Sequence, residues 1–429
     1  MKRSQYPVFE LLQARGDFFC PAKWNELYLY LNHGTSNSCH HPQPHAIPKE
    51  LLSNPSVLHN TPHKLEQQQL MLSGQRPQEC HMCWHVEDID DTVISDRIHK
   101  GLRWQDDIGS LQVDTDHVPK LIEVVFDNTC NLTCSYCDSG QSSAWAVKIR
   151  NQPYFLRSDT RHLYNKVFVE PGHTQQEYFD AWMRWWPQIQ QQVETLRVSG
   201  GEPLLSKHFW QFLDSVQSAT HLKFEINSNL NVNRAVLTKF ANRTKDFQQV
   251  TIAASIDAVG SIAEYTRQGL DYNTFLQNVE YWCEHSGPNA RLYLQSTVNI
   301  FSVWGITDKF DLAIDLRKRY GNRIRSAYST IVRFPEFQSI NILPNDLKQQ
   351  LSRSIRQWFE QKQHELDSVE LDLINKIIAY LNSQPESYSH IEQTVLTKDL
   401  GRFRTKYETE NCQAVGRFPT QFTDWLQTL

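Results

Sequence analysis

Three cysteines occupy one stretch of eight residues, CNLTCSYC, as Cys130, Cys134 and Cys137. Thiolates spaced C-x3-C-x2-C can hold three irons of a four-iron, four-sulfur cluster and leave the fourth iron without a protein ligand. An open position on a metal is where a substrate or cofactor binds, the property that separates catalytic from structural zinc sites. Spacing alone also admits a zinc site, or an electron-transfer cluster with a remote fourth ligand. Four more cysteines, Cys20, Cys39, Cys80 and Cys83, lie nearer the N-terminus, and Cys283 and Cys412 stand alone. In FCPAKWNELYLYLNHGTSNSC the alternation of NELYLYL, followed by Asn32, His33 and Gly34, predicts a β-hairpin that brings Cys20 and Cys39 together. The C-x2-C pair of CHMC, Cys80 and Cys83, would complete a four-thiolate site for zinc or for iron and sulfide.

These residues need a scaffold, and hydrophobic patterning supplies one. LIEVVF at 121–126 is a short apolar, β-branched run, and the Asp, Asn and Thr of DNTCNLTC follow where a strand gives way to a loop. Similar runs recur at 195–199, 222–227, 250–256, 291–298 and 327–334, separated by helical patterns such as HFWQFLDSV and DKFDLAIDLRKRY. Strands alternating with helices predict a parallel α/β sheet or an incomplete β/α barrel, with chemistry at the C-terminal strand ends. From residue 346, DLKQQLSRSIRQWFEQKQHELDSVELDLINKIIAYLNSQ predicts two amphipathic helices, and a further helical patch ends at FTDWLQTL. Phe179, Trp182 and Trp186 recur at helical spacing and are expected on a core face. His40, His41 and His45 lie in a proline-rich polar loop and are expected in solvent, whereas Cys283 is expected to be a buried small hydrophobe. The segment 152–173 is long enough to gate a substrate.

Composition narrows the setting. The chain has 429 residues, a net charge of −5 and 21% charged residues without a run of one sign, so no basic patch for nucleic acid is expected. No stretch approaches the roughly 18 apolar residues of a membrane span. The start, MKRSQYPVFELLQARGDFF, lacks an apolar core with a small-residue cleavage site. The expected location is therefore cytoplasmic, with no membrane partner. In reducing cytosol, close cysteine spacings favour metal binding or catalysis over disulfides.

CNLTCSYC, with Tyr136 before its last cysteine, resembles the cluster motif of the radical S-adenosylmethionine (SAM) superfamily. Further matches follow in order. SGGEP resembles the GGEP motif that contacts the SAM amino group, which implies Gly200, Gly201, Glu202 and Pro203 as cofactor-binding residues. INSNLN is similar to a Thr-Asn-Gly-like strand end, where Ser228 and Asn229 fit and Leu230 replaces glycine. ASIDAVGSIAEYTRQG resembles the serine-x-aspartate strand end with a later arginine, so Ser255 and Arg267 would contact the ribose or carboxylate. The C-x13-G-x4-C hairpin is similar to the start of SPASM and twitch auxiliary-cluster modules, here placed before the radical SAM core, although Cys39 and His40 stand where relatives commonly carry two cysteines.

The resemblance implies an α/β fold with an incomplete (β/α)6 TIM-like barrel at 118–345 and a small cysteine-bearing hairpin module at 1–115, and the helical patterns beyond them predict a helical extension at 346–429. It implies a [4Fe-4S] cluster at Cys130, Cys134 and Cys137 with SAM on its open iron. It also implies a second, auxiliary [4Fe-4S] cluster at Cys20, Cys39, Cys80 and Cys83, zinc being the other reading of that spacing. Such an enzyme splits SAM reductively and abstracts hydrogen from a peptide or small molecule, giving oxidation, cross-linking or epimerisation, with a flavodoxin- or ferredoxin-type reductant. No winged-helix pattern for a peptide leader precedes Cys20, which leaves room for a small metabolite. A non-catalytic iron-sulfur binding or sensing protein of the same fold is the alternative.

Overall fold

A computed structural model describes residues 2–158, 176–217, 219–327, 329–383, 391–409 and 412–429. Its strands are β1 (Glu26–Tyr30), β2 (Thr35–Asn37), β3 (His45–Ala46), β4 (Leu121–Val125), β5 (Thr133–Cys134), β6 (Thr195–Ser199) and β7 (Lys223–Ser228). They continue with β8 (Gln249–Ser255), β9 (Arg267–Gln268), β10 (Ala290–Gln295), β11 (Thr297–Val298), β12 (Ile324–Ser326) and β13 (Thr330–Ile331). The chain packs as two units: Met1–Asp127 with Thr174–Ser199 and Lys207–Phe224, and Asn128–His173 with Gly200–Ser206 and Glu225–Leu429. Both are α/β with mostly parallel strands.

In the first unit the strand order is β6-β4-β1-β2-β3. β1 and β2 pair antiparallel with Tyr28 opposite Asn37, and Gly34 turns the chain between them at φ 64°. β1 also pairs in parallel with β4, and β4 with β6. Leu27, Tyr28 and Leu29 are all buried, as expected of a strand bonded on both edges in a covered sheet. That pairing carries the unit past the boundary at 115–118 drawn from the sequence. Its core gathers Val8, Leu12, Phe19, Trp24, Met71, Trp84 and Ile98, with Cys20, Cys80 and Cys83 at the edge. The helix Gln176–Ile189 buries Phe179, Trp182 and Trp186, the core face expected from their spacing.

In the second unit β7, β8, β10 and β12 are neighbours in that order. β8 pairs in parallel with β10 so that Ser255 stands beside Gln295, and β10 pairs in parallel with β12. The last strand lies at Ile324–Ser326, ahead of the expected run 327–334, of which Thr330–Ile331 instead pairs with β11. The C-terminal helices Asn345–Lys362, Ser368–Asn382, Gln393–Tyr407 and Thr420–Gln427 share one apolar core with Trp145, Tyr265, Phe301 and Phe337. The third was not expected, although Leu396, Leu400, Phe403 and Tyr407 recur at helical spacing and are buried. Because that core is common, the boundary expected at 345–346 does not separate a packed unit. The proposed gating segment lies, from residue 159 on, outside the described residues. Among the described residues no helix is long and apolar enough to cross a membrane.

Candidate active site

The loop carrying Cys130, Cys134 and Cys137 is fastened at both ends. Ser142 caps the helix Ser143–Asn151 by accepting from Trp145 N at 3.2 Å, and its hydroxyl donates to Leu132 O at 2.7 Å. The Ser143 hydroxyl exchanges hydrogen bonds with the backbone of Cys130, accepting from N and donating to O, both at 3.0 Å. The Trp145 indole donates to Cys134 O at 2.9 Å, and β5 pairs antiparallel with β9, setting Cys134 opposite Arg267. From the C-terminal helix, the buried Tyr407 hydroxyl reaches Thr133 O at 3.0 Å and Tyr265 O at 2.9 Å. Sequence patterning offered no sign of this support, because it joins residues more than 130 positions apart.

All three cysteines line one cavity of about 200 Å³. Burial raises the Cys130, Cys134 and Cys137 thiols, Cys134 to about 12, against the opposing pull of the Arg267 guanidinium on Cys130 and Cys134. Binding of a metal must therefore drive off protons. A single tetrahedral zinc, at about 2.3 Å from each sulfur, needs its ligands about 3.8 Å apart. Among the described residues no three cysteines bring their sulfurs within 4.8 Å of one another, so the triplet suits a larger, multinuclear group.

Gly200, Gly201, Ser228, Asn229, Ser255, Tyr136 and Arg267 line the same cavity. Gly200 has φ 120°, a conformation that disfavours side chains, and a Cβ on Gly201 would lie 2.2 Å from Thr129 O. The glycine pair thus lets the loop after β6 lie against the residues leading into Cys130. Gly201→Ala is expected to push Thr129 away, costing about 1–3 kcal/mol and weakening SAM binding roughly tenfold. Thermal unfolding and equilibrium binding of SAM measure both.

Glu202 and Pro203 are buried and stand behind the lining. Glu202 accepts from Asn229 N at 2.6 Å, the Ser228 hydroxyl at 2.9 Å and Leu204 N at 3.2 Å. Its own N–H donates to Thr129 O at 2.6 Å. Burial pushes its carboxyl up to about 7 despite these donors. Its observed contacts are thus to the loops that present Ser228 and Asn229. Leu230, where the resemblance has glycine, takes φ 50°, and its side chain is fully buried. Leu230 N donates to the Ser228 hydroxyl at 3.0 Å, and its carbonyl accepts from Asn278 at 2.9 Å. The turn keeps the glycine-type backbone while Leu230 adds core packing.

Arg267 is held by a residue the sequence analysis did not single out. Its guanidinium donates to both oxygens of buried Asp257, at 2.8 and 3.0 Å, and faces Cys134 Sγ at 3.8 Å. Asp257 also accepts from the Tyr136 hydroxyl and from Thr297 N, each at 2.8 Å. The aspartate of the S-x-D pattern, Ser255-Ile256-Asp257, was the available signal. Gln141, Asn227, Gln295 and Thr297 complete the polar lining; of these only Asn227, within INSNLN, lay in a motif visible in the sequence.

In the first unit Cys20, Cys39, Cys80 and Cys83 interact electrostatically with one another. Burial raises each thiol, Cys39 to about 11 and Cys83 to about 12. Nearby Ala22, His41, Arg97 and Lys23 pull the thiols of Cys20, Cys39, Cys83 and Cys80, respectively, back down. His40 sets its ring edge on Tyr28, centroids 4.3 Å apart. Cys283 and Cys412 are buried.

Residues 124–316 match the model of the Radical SAM superfamily. No curated protein matches the chain. Among solved structures it is similar to SuiB of Streptococcus suis bound to S-adenosylmethionine, with 13% identity and a TM-score of 0.36 over 78% of this chain and 69% of that one. It is similar also to SuiB bound to the precursor peptide SuiA, with 12% identity and a TM-score of 0.36 over 79% and 69%. Residues 124–316 thus form a radical SAM superfamily domain.

Proposed function

We propose that Cys130, Cys134 and Cys137 hold a [4Fe-4S] cluster whose open iron binds SAM, and that the enzyme abstracts hydrogen from a peptide or small-molecule substrate. Oxidation, cross-linking or epimerisation would follow. The observation that carries this reading is the convergence of the three cysteines on one cavity with Gly200, Gly201, Ser228, Asn229, Ser255 and Arg267. When bound, the cluster and SAM supply a one-electron cleavage of the sulfonium to methionine and a 5′-deoxyadenosyl radical. The chain's part is positioning. The half-buried backbone at Gly200 and Gly201 would receive the SAM amino group, while Ser228, Asn229 and Ser255 would meet the methionine and ribose polar groups. Arg267, fixed by Asp257, sets a positive charge beside Cys134 and the SAM carboxylate, and Tyr136, bonded to the same aspartate, closes that side. Glu202 and Pro203 act through the loops they hold.

The incomplete (β/α)6 barrel belongs to this proposal, supported by the parallel strands and intervening helices of each unit. So does a SPASM- or twitch-type auxiliary [4Fe-4S] cluster at Cys20, Cys39, Cys80 and Cys83, supported by four thiols near enough to act on one another electrostatically. The reductant is a cytoplasmic flavodoxin- or ferredoxin-type protein, in keeping with nine unpaired cysteines. The test is anaerobic reconstitution with iron and sulfide, then SAM and dithionite. 5′-Deoxyadenosine is the expected product, and its absence from protein with a full cluster would refute the reading. Deuterium transfer into 5′-deoxyadenosine from labelled peptides or metabolites then separates the substrate classes.

A further inference from the structure

His45, His63 and Glu79 bring one ligand atom each within 4.8 Å of the others, the one such trio of His, Cys, Asp and Glu among the described residues. They come from three elements: β3, the first turn of the helix Pro62–Leu72, and the turn Gln78–Cys80. We propose that this trio binds a divalent first-row transition metal of the zinc class, at a site separate from both cysteine groups.

The donor set is the first argument. Two imidazoles and a carboxylate form a recognised set for zinc with a coordination position left open. The His45 and His63 rings lie 4.6 Å apart between centroids, and His63 Nε2 is 2.8 Å from one Glu79 oxygen. The surroundings are the second. His45 Nε2 meets the Thr61 hydroxyl at 2.7 Å, and Thr61 is itself fixed as a helix cap by Lys64 N at 3.1 Å. A hydroxyl so placed accepts the second N–H of a metal-bound imidazole and orients the ring. The other Glu79 oxygen takes the Lys23 amine, and the Lys64 amine is engaged by His59 at 2.8 Å and the Glu26 carbonyl at 3.1 Å. Lys23 thus occupies only the Glu79 oxygen turned away from His63, and Lys64 is held by His59 and Glu26. The His63 side chain is 41% exposed, which leaves a face open to an incoming ion and to water. Because Glu79 precedes Cys80, the metal would pin the turn that presents Cys80 to the four-thiolate site.

The test is Co2+ titration into the full, cluster-loaded chain. One cobalt is expected with visible ligand-field bands and without a sulfur-to-cobalt charge-transfer band, and His45→Asn and His63→Asn should each weaken it at least about tenfold. Circular dichroism and iron content check that both variants fold. Cobalt showing only the sulfur band, no cobalt binding, or equal affinity in both variants would overturn the site. Cu2+ added to wild-type protein gives a measurement independent of folding. Paramagnetic resonance should show superhyperfine coupling to two imidazole nitrogens, and coupling to fewer would also overturn it.

Discussion

Replacing Cys130, Cys134 and Cys137 together by alanine is expected to lower bound iron from roughly eight to about four atoms per chain, and to abolish 5′-deoxyadenosine formation. The reason is local. The three cysteines line one cavity, on a loop tied to Ser142, Ser143 and Trp145, so removing them deletes one cluster. Cys20, Cys39, Cys80 and Cys83 form a separate group, so the proposed auxiliary cluster is expected to persist. Iron and sulfide analysis with low-temperature paramagnetic resonance measures the change. Iron falling from about four to none would assign zinc or nothing to Cys20, Cys39, Cys80 and Cys83, and would favour redox-neutral chemistry such as epimerisation. Iron unchanged in the variant would refute the assignment of the triplet.

Asp257→Asn is expected to destabilise the protein by about 3–5 kcal/mol and to abolish measurable SAM binding. Asp257 and Arg267 are both buried and share two hydrogen bonds, so loss of the carboxylate strands a guanidinium beside Cys134. The same change removes the acceptor of the Tyr136 hydroxyl and of Thr297 N. A double variant, Asp257→Leu with Arg267→Met, separates structure from function. Replacing the pair by apolar residues should restore much of the stability without restoring SAM binding. Chemical denaturation and equilibrium SAM titration read the two effects. A double variant that bound SAM as wild type does would remove Arg267 from the site.

Strand–helix alternation was legible because a covered parallel strand must be apolar on both faces. LIEVVF, TLRVS and VTIAASI announced β4, β6 and β8 to within a residue or two. AYSTIVRF misled, because the ladder with β10 is completed by Ile324–Ser326 and the apolar run after it bends away to pair with β11. The hairpin between Cys20 and Cys39 was visible in its alternation and its glycine. That β1 also joins β4 was not, since one strand's pattern does not name its second neighbour.

The sequence by itself determined the chemistry on offer: thiols in two groups, a glycine pair, and polar residues at strand ends, all local patterns whose spacing survives in any fold that accommodates them. Tertiary structure alone decided which groups face the cavity and which hold them there. It put Glu202 behind the lining, gave Asp257 the central place between Tyr136 and Arg267, and brought Tyr407 under the cysteine loop. It also drew His45 out of an apparently solvent-bound loop to meet His63 and Glu79. Each of these depends on contacts between residues far apart in the chain, and burial, which sets the strength of every such contact, is a property of the folded whole.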